Sequence, residues 1–193
     1  MSANLVLASS SRFRRALLKR LGVPFEAISP NVDETPNTGE APAALAQRLA
    51  LAKARAIAPH RPTALIVASD QVAVYGDAIV GKPRDHADAA RQLRAASGRK
   101  VVLHTALVLL NAATGRVQSE VIPFGIQFRP LTDAQIENYL RKEQPYDCTG
   151  SVKSEGLGIA LLERFEGEDP NALIGLPLIR LIRMLENEGV TII

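Results

Sequence analysis

A short apolar run, Leu5-Val6-Leu7-Ala8, passes directly into Ser9-Ser10-Ser11-Arg12-Phe13-Arg14-Arg15. A strand that feeds through hydroxyls into a helix gathers Ser side chains, backbone N–H groups and the positive helix end in one place. Arg14 and Arg15 in the first turn oppose the macrodipole, and an anion close by would account for them. Taken alone, the segment reads equally well as a Ser-capped helix with solvated arginines. Three further polar clusters interrupt apolar runs at the ends of expected strands, where α/β folds build their sites. Val32-Asp33-Glu34-Thr35 carries two adjacent carboxylates, although an Asp-rich turn would look the same.

Ser69-Asp70-Gln71 closes the apolar run Ala64–Ala68. A carboxylate there must be hydrogen-bonded or used, and a plain turn would more often bring Gly or Pro beside it. Gly81-Lys82-Pro83 holds a lysine between a residue that permits close backbone approach and one that stiffens the exit. Lys53 follows Leu45 and Leu49 at four-residue intervals, so it shares their helical face and either snorkels or points into a cleft. Carboxylates for a divalent metal, several cations and a helix N-terminus form together the set that a polyphosphate substrate requires.

Other chemistries lack their residues. Neither a Gly-x-x-x-x-Gly-Lys-Ser/Thr loop nor a Gly-x-Gly-x-x-Gly fingerprint occurs. His60, His86 and His104 have no metal-ligand spacing and read as surface or strand residues. The single cysteine, Cys148, excludes an internal disulfide framework and reads as a buried small hydrophobe. With 193 residues and 47% hydrophobic content, the chain is long enough for one domain or two closely joined lobes with a sizeable core. The net charge of +3 is mildly basic, and no like-charge run marks a nucleic-acid tail. No signal peptide or membrane-length apolar stretch is evident, so a soluble, cytoplasmic protein is expected.

The elements that must position these residues alternate. Strands are expected at Leu5–Ala8, Phe25–Ser29, Ala64–Ser69, Val101–Asn111 and Val117–Phe128, with a hairpin joining Val72–Tyr75 to Ala78–Val80 through Gly76-Asp77. Helices are expected at Arg12–Leu21, Ala43–Ala58, His86–Ala96, from the Thr132/Gln135 capping box to Lys142, and from Pro177 to Glu188. A looser Gly-rich segment, Gly150 to Gly158, leads into Ile159–Leu162. The class is mixed α/β.

In their order along the chain, Leu-Ala-Ser9-Ser10-Ser11-x-x-Arg14, Val32-Asp33-Glu34, Ser69-Asp70-Gln71, Gly81-Lys82-Pro83, Gly150-Ser151-x-x-Ser154-Glu155-Gly156, and Asp169-Pro170-Asn171 with Gly175-Leu176-Pro177 resemble the Maf nucleotide pyrophosphatases. The resemblance runs from Leu5 to about Leu185. It implies an elongated α/β structure of mixed sheet and flanking helices with a central cleft, similar to the inosine triphosphatases. It also implies hydrolysis of nucleoside triphosphates to monophosphate and pyrophosphate with Mg²⁺ or Mn²⁺. Arg12 stands where the family usually carries Pro.

Asp70 is then the expected general base, with Glu34 and Asp70 the expected metal ligands. Ser9, Arg14, Lys53 and Lys82 are expected to position phosphates. The resemblance makes Phe13, Gln71 and Glu155 the specificity positions. Family members acting on dTTP and UTP typically have Arg, Thr and Gln there, whereas this chain resembles the branch acting on 7-methyl-GTP. N7-methylated guanine is cationic, so an aromatic face attracts it by about 0.5–2 kcal/mol. A carboxylate at Glu155 can accept from the base N1–H and amine. Turnover of dTTP or UTP, and a non-enzymatic nucleotide-binding role in division, are the alternatives. Nucleic acid and membrane are not expected partners; a homodimer is compatible with the chain.

Overall fold

The computed structural model describes residues 4–76 and 78–193. Its first elements are β1 (Leu5–Ala8), α1 (Arg12–Lys19), β2 (Phe25–Ile28) and α2 (Pro42–Ile57). Next come β3 (Leu65–Tyr75), β4 (Ala78–Val80), α3 (His86–Ala96), β5 (Lys100–Asn111) and β6 (Val117–Phe128). The chain continues through α4 (Asp133–Glu143), β7 (Leu162–Glu166), α5 (Pro170–Ile174) and α6 (Leu178–Glu186). The strands form one seven-stranded mixed sheet in the order β2-β1-β3-β5-β6-β7, with β4 paired to β3. β1 runs parallel to β2 and β3, whereas β3–β4 and β6–β7 are antiparallel. No helix among the described residues is long and apolar enough to cross a membrane.

The described residues fall into two compact units, and the chain passes from one to the other within β3, β5 and β6. The first runs through Asp70 and includes Thr105–Ile122 and Asp169–Ile193; the second is Gln71–His104 with Pro123–Glu168. In the first unit β1 is buried along its whole length. A strand covered on both faces reads as a continuous apolar run, and Leu5-Val6-Leu7-Ala8 is one. In α2, Leu45, Leu49 and Lys53 recur every fourth residue beside Ala46, Ala50 and Ala54, all buried on one stripe. Pro42 opens that helix, where its missing N–H costs nothing. In the second unit α4 begins with the expected capping box: Gln135 N–H donates to Thr132 Oγ1, and Thr132 N–H donates to Gln135 Oε1.

Three departures from the sequence expectation bear on function. β3 is a single strand of 11 residues that runs straight through Ser69-Asp70-Gln71, so this polar cluster lies inside a strand and not at its end. The strand tolerates it because each buried polar group is satisfied: Ser69 Oγ donates to the Gly175 carbonyl at 2.8 Å and Asp70 pairs with Lys53. The Gly-rich segment leads through a 3₁₀ turn, Leu157–Leu161, into β7. Asp169-Pro170-Asn171 opens the short helix α5, with Asp169 as its cap, Pro170 in its first turn and Gly175 ending it at φ 118°. The hairpin β3–β4 is present as expected, although its turn residue Asp77 lies outside the described residues.

Candidate functional site

The first unit gathers most of the charged chemistry. Lys53, on the buried stripe of α2, is only 7% exposed, and Asp70, in mid-β3, 8%. The Lys53 ammonium donates to Asp70 Oδ1 and lies 2.6 Å from Glu34 Oε1. Glu34 reaches in from the irregular segment after β2, its own side chain 60% exposed. One buried cation thus holds two carboxylates from separate parts of the chain. Lys53 therefore does not snorkel to solvent.

Arg14 lies close to the same carboxylates. Its Nε donates to the Gly175 carbonyl at 2.9 Å, the oxygen that also receives Ser69. Burial pulls the guanidinium pKa down, while the charges of Asp70 and Glu34 hold it up. An arginine in a helix's first turn is thus accounted for by internal anions. Ser11 caps α1 by accepting from Arg14 N–H at 3.3 Å. Ser9, buried, accepts from Ser11 N–H through its Oγ at 3.1 Å, which tightens the turn between β1 and α1. Phe13 is half-buried, and the Arg12 guanidinium carbon stands 4.9 Å from its ring centroid. The residue that departs from the family pattern therefore places a cation on one face of this ring.

Sequence marks no task for Gly175, yet its carbonyl ties Arg14 and Ser69 together. A Cβ at this position would stand 3.4 Å from Arg14 Nε, and its φ of +118° is strained for any side chain. The signal in the chain is the Gly175-Leu176-Pro177 motif.

The second unit carries Gln71, Lys82 and Glu155. Gln71 is half-buried in β3, whereas Lys82 and Glu155 are exposed. The turn bearing Lys82 is anchored by its neighbour: the Gly81 carbonyl accepts from Gly150 N–H at 3.1 Å. The buried Tyr75 hydroxyl donates to the Gly150 carbonyl at 2.7 Å, and Ser151 Oγ donates to Gln92 Oε1 at 2.6 Å. Gly150 and Ser151 both have positive φ, 69° and 58°. For a serine that conformation costs energy, and such strain persists where the surroundings over-determine it. These contacts hold the Gly150–Gly156 motif beside the Lys82 turn. His86 begins α3 and meets Glu137 and Tyr146, each at 2.9 Å, so it is a structural surface residue. Cys148 is buried and free, as its lack of a catalytic signature implied.

Among the described residues no three His, Cys, Asp or Glu side chains cluster as a metal-binding group. The donor set on hand is the pair Glu34 and Asp70, already converging on one cation. Hard carboxylate oxygens in a pair fit Mg²⁺, which takes one or two protein carboxylates and completes its shell from phosphate and water.

The Maf-like protein family matches residues 4–188 of this sequence. The chain belongs to the Maf family. A protein of Thiobacillus denitrificans named 7-methyl-GTP pyrophosphatase is 57% identical over 192 residues, spanning 100% of this chain and 96% of its own. Proteins of the same name from Methylobacillus flagellatus and Nitrosococcus oceani are 57% and 56% identical, over 98% and 96% of this chain and 98% and 93% of theirs. The Maf motifs therefore sit in a chain that matches these relatives almost end to end.

Proposed function

We propose that this Maf protein is a nucleoside triphosphate pyrophosphatase that converts 7-methyl-GTP to 7-methyl-GMP and pyrophosphate. The observation that carries the chemistry is the buried Lys53 ammonium held by Asp70 and Glu34, with Arg14 close by. That arrangement suits a polyanion approaching alongside a divalent cation. Full-length relatives bearing the name support the choice of base.

Glu34 and Asp70 are the residues that would hold Mg²⁺ or Mn²⁺, which when bound neutralises charge on phosphate oxygens. Asp70 accepts the proton of the water that attacks the α-phosphorus, and the α–β bridging oxygen leaves with pyrophosphate. Arg14 and Lys53 stabilise charge that builds on the phosphate oxygens in the transition state. Ser9 shapes the β1–α1 turn, and the Gly81-Lys82-Pro83 motif assigns Lys82 to phosphate binding by its resemblance to the family. Phe13 offers the base a face opposite the one that Arg12 covers. Glu155 accepts from the guanine N1–H and amine, and its charge complements the methylated ring; Gln71 completes the specificity set.

Pyrophosphate release should be measured across 7-methyl-GTP, GTP, dTTP and UTP with Mg²⁺ and with Mn²⁺. The reading expects the highest kcat/KM for 7-methyl-GTP. A preference for dTTP or UTP would overturn the base assignment, and no release from any triphosphate would favour a binding protein. Glu155→Gln then isolates the charge. A charge-assisted hydrogen bond contributes about 1.5–3 kcal/mol, so 7-methyl-GTP should lose roughly 10-fold to 150-fold in kcat/KM. The loss for dTTP should be much smaller. Equal losses on all nucleotides would move Glu155 into the catalytic machinery.

A further inference from the structure

The segment that carries Glu155 also carries a lysine two residues earlier, and α4 supplies a partner for it. Glu143, the last residue of α4, takes the Lys153 ammonium at 2.5 Å through Oε1 and Leu157 N–H at 2.6 Å through Oε2. The backbone of Lys153 is fixed separately. Its N–H donates to the Tyr139 hydroxyl at 3.0 Å, and its carbonyl accepts from both Gly156 and Gly158 N–H at 3.1 Å. Gly156 runs so close to α4 that a Cβ there would stand 2.7 Å from Glu143 Oε2. The loop therefore folds around the Lys153 backbone, while the Lys153 ammonium is paired with Glu143.

That pairing matters because Lys153 and Glu155 carry opposite charges on one tight loop. Donating its hydrogen bond to Glu143 holds the Lys153 pKa up, and the charge of Glu155 adds to the effect, so the two loop residues sense each other. Lys153 and Leu157 in turn hold the Glu143 carboxyl below its ordinary range. By contrast, among the described residues Glu155 receives a long contact from Ser154 Oγ, at 3.4 Å, and its side chain is exposed. We infer that Glu143 is a positioning residue for specificity: it sequesters the Lys153 ammonium so that the Glu155 carboxylate stays available to a cationic base. This inference rests on the reading of Glu155 as the base-contacting carboxylate.

The test is a set of variants assayed for pyrophosphate release from 7-methyl-GTP and dTTP, with folding checked by thermal unfolding. Glu143→Gln keeps an oxygen for Leu157 N–H and removes the negative charge that pairs with Lys153. It should lower kcat/KM for 7-methyl-GTP by about fivefold, the difference between a charge-assisted and an ordinary hydrogen bond. Turnover of dTTP should be unchanged. Adding Lys153→Met to Glu143→Gln removes the competing cation and should restore the preference for 7-methyl-GTP. Unchanged preference in Glu143→Gln overturns the inference, provided Glu155→Gln in parallel does lose it. Equal losses on both nucleotides, or no recovery in the double variant, overturn it in favour of a purely structural role. If Glu155→Gln itself leaves the preference intact, the underlying reading of Glu155 fails and the inference falls with it.

Discussion

Lys53→Met is the substitution that the structure makes most demanding. Methionine reproduces the apolar stem of lysine as far as Cε, so the buried stripe of α2 stays filled, and the ammonium between Asp70 and Glu34 is lost. Glu34 is 60% exposed and can turn its charge to water, but Asp70 is 8% exposed and cannot. Removing one partner of a buried ion pair costs about 3–5 kcal/mol, because the other charge stays desolvated. Arg14 still faces Asp70, which places the expected loss at the low end, about 3 kcal/mol. For a chain of this size each kcal/mol moves the melting temperature by roughly 2–4 °C, so Tm should fall by about 6–12 °C. If Asp70 and Glu34 are also the metal ligands, Mg²⁺ or Mn²⁺ should compensate. A hundredfold excess over Kd adds about 2.7 kcal/mol, nearly the whole deficit. Differential scanning fluorimetry with and without metal, on wild type and variant, provides the measurement. The metal-induced rise should be larger in the variant, where no ammonium competes for the carboxylates. Two results would refute the reasoning. A metal-free variant melting within about 2 °C of wild type would mean that the pair carries little buried charge. A variant destabilised as expected but indifferent to either metal would remove Glu34 and Asp70 as ligands.

Asp70→Asn keeps the shape and still accepts from Lys53, so folding should hold while kcat falls by about 10²–10⁴; near-normal turnover would move the base to Glu34. Lys82→Ala should reduce kcat/KM by the same factor for every nucleotide, and a loss confined to one base would contradict a phosphate role. Burial, reinforced by Asp147, pushes the Cys148 thiol up to about 12, so the folded protein should resist a thiol-specific reagent at pH 8 and react once unfolded. Arg48, with the Asn37 N–H, holds the Glu40 carboxyl down to about 2 from an ordinary 4.5. A depressed carboxylate stabilises fully above its ordinary value and loses that contribution as pH falls through the depressed one. An NMR titration of the Glu40 carboxyl should show a midpoint near 2, and a midpoint near 4.5 would break this assignment.

Much of this protein is written locally. The continuous apolar run of β1, the Ser11 and Thr132 caps, the four-residue stripe of α2 and the hairpin after Tyr75 are short-range patterns, and each became the element expected. The family motifs could be matched from sequence because they are short and contiguous. Sequence could not decide that Lys53, 17 residues from Asp70, would close on both Asp70 and Glu34. Nor could it show that β3 would run unbroken through Ser69-Asp70-Gln71, since whether a polar cluster ends a strand depends on partners elsewhere. Those partners, Lys53 and the Gly175 carbonyl, come from α2 and from the end of α5, more than a hundred residues further on in the latter case. The hold of Glu143 on the Glu155 loop was hidden for the same reason. A carboxylate in the last turn of a helix looks like solvated surface until the fold brings Lys153 and Leu157 N–H to it. Periodicity and capping act over a few residues and are legible in the chain; the pairing of buried charges is settled only where distant segments exclude water together.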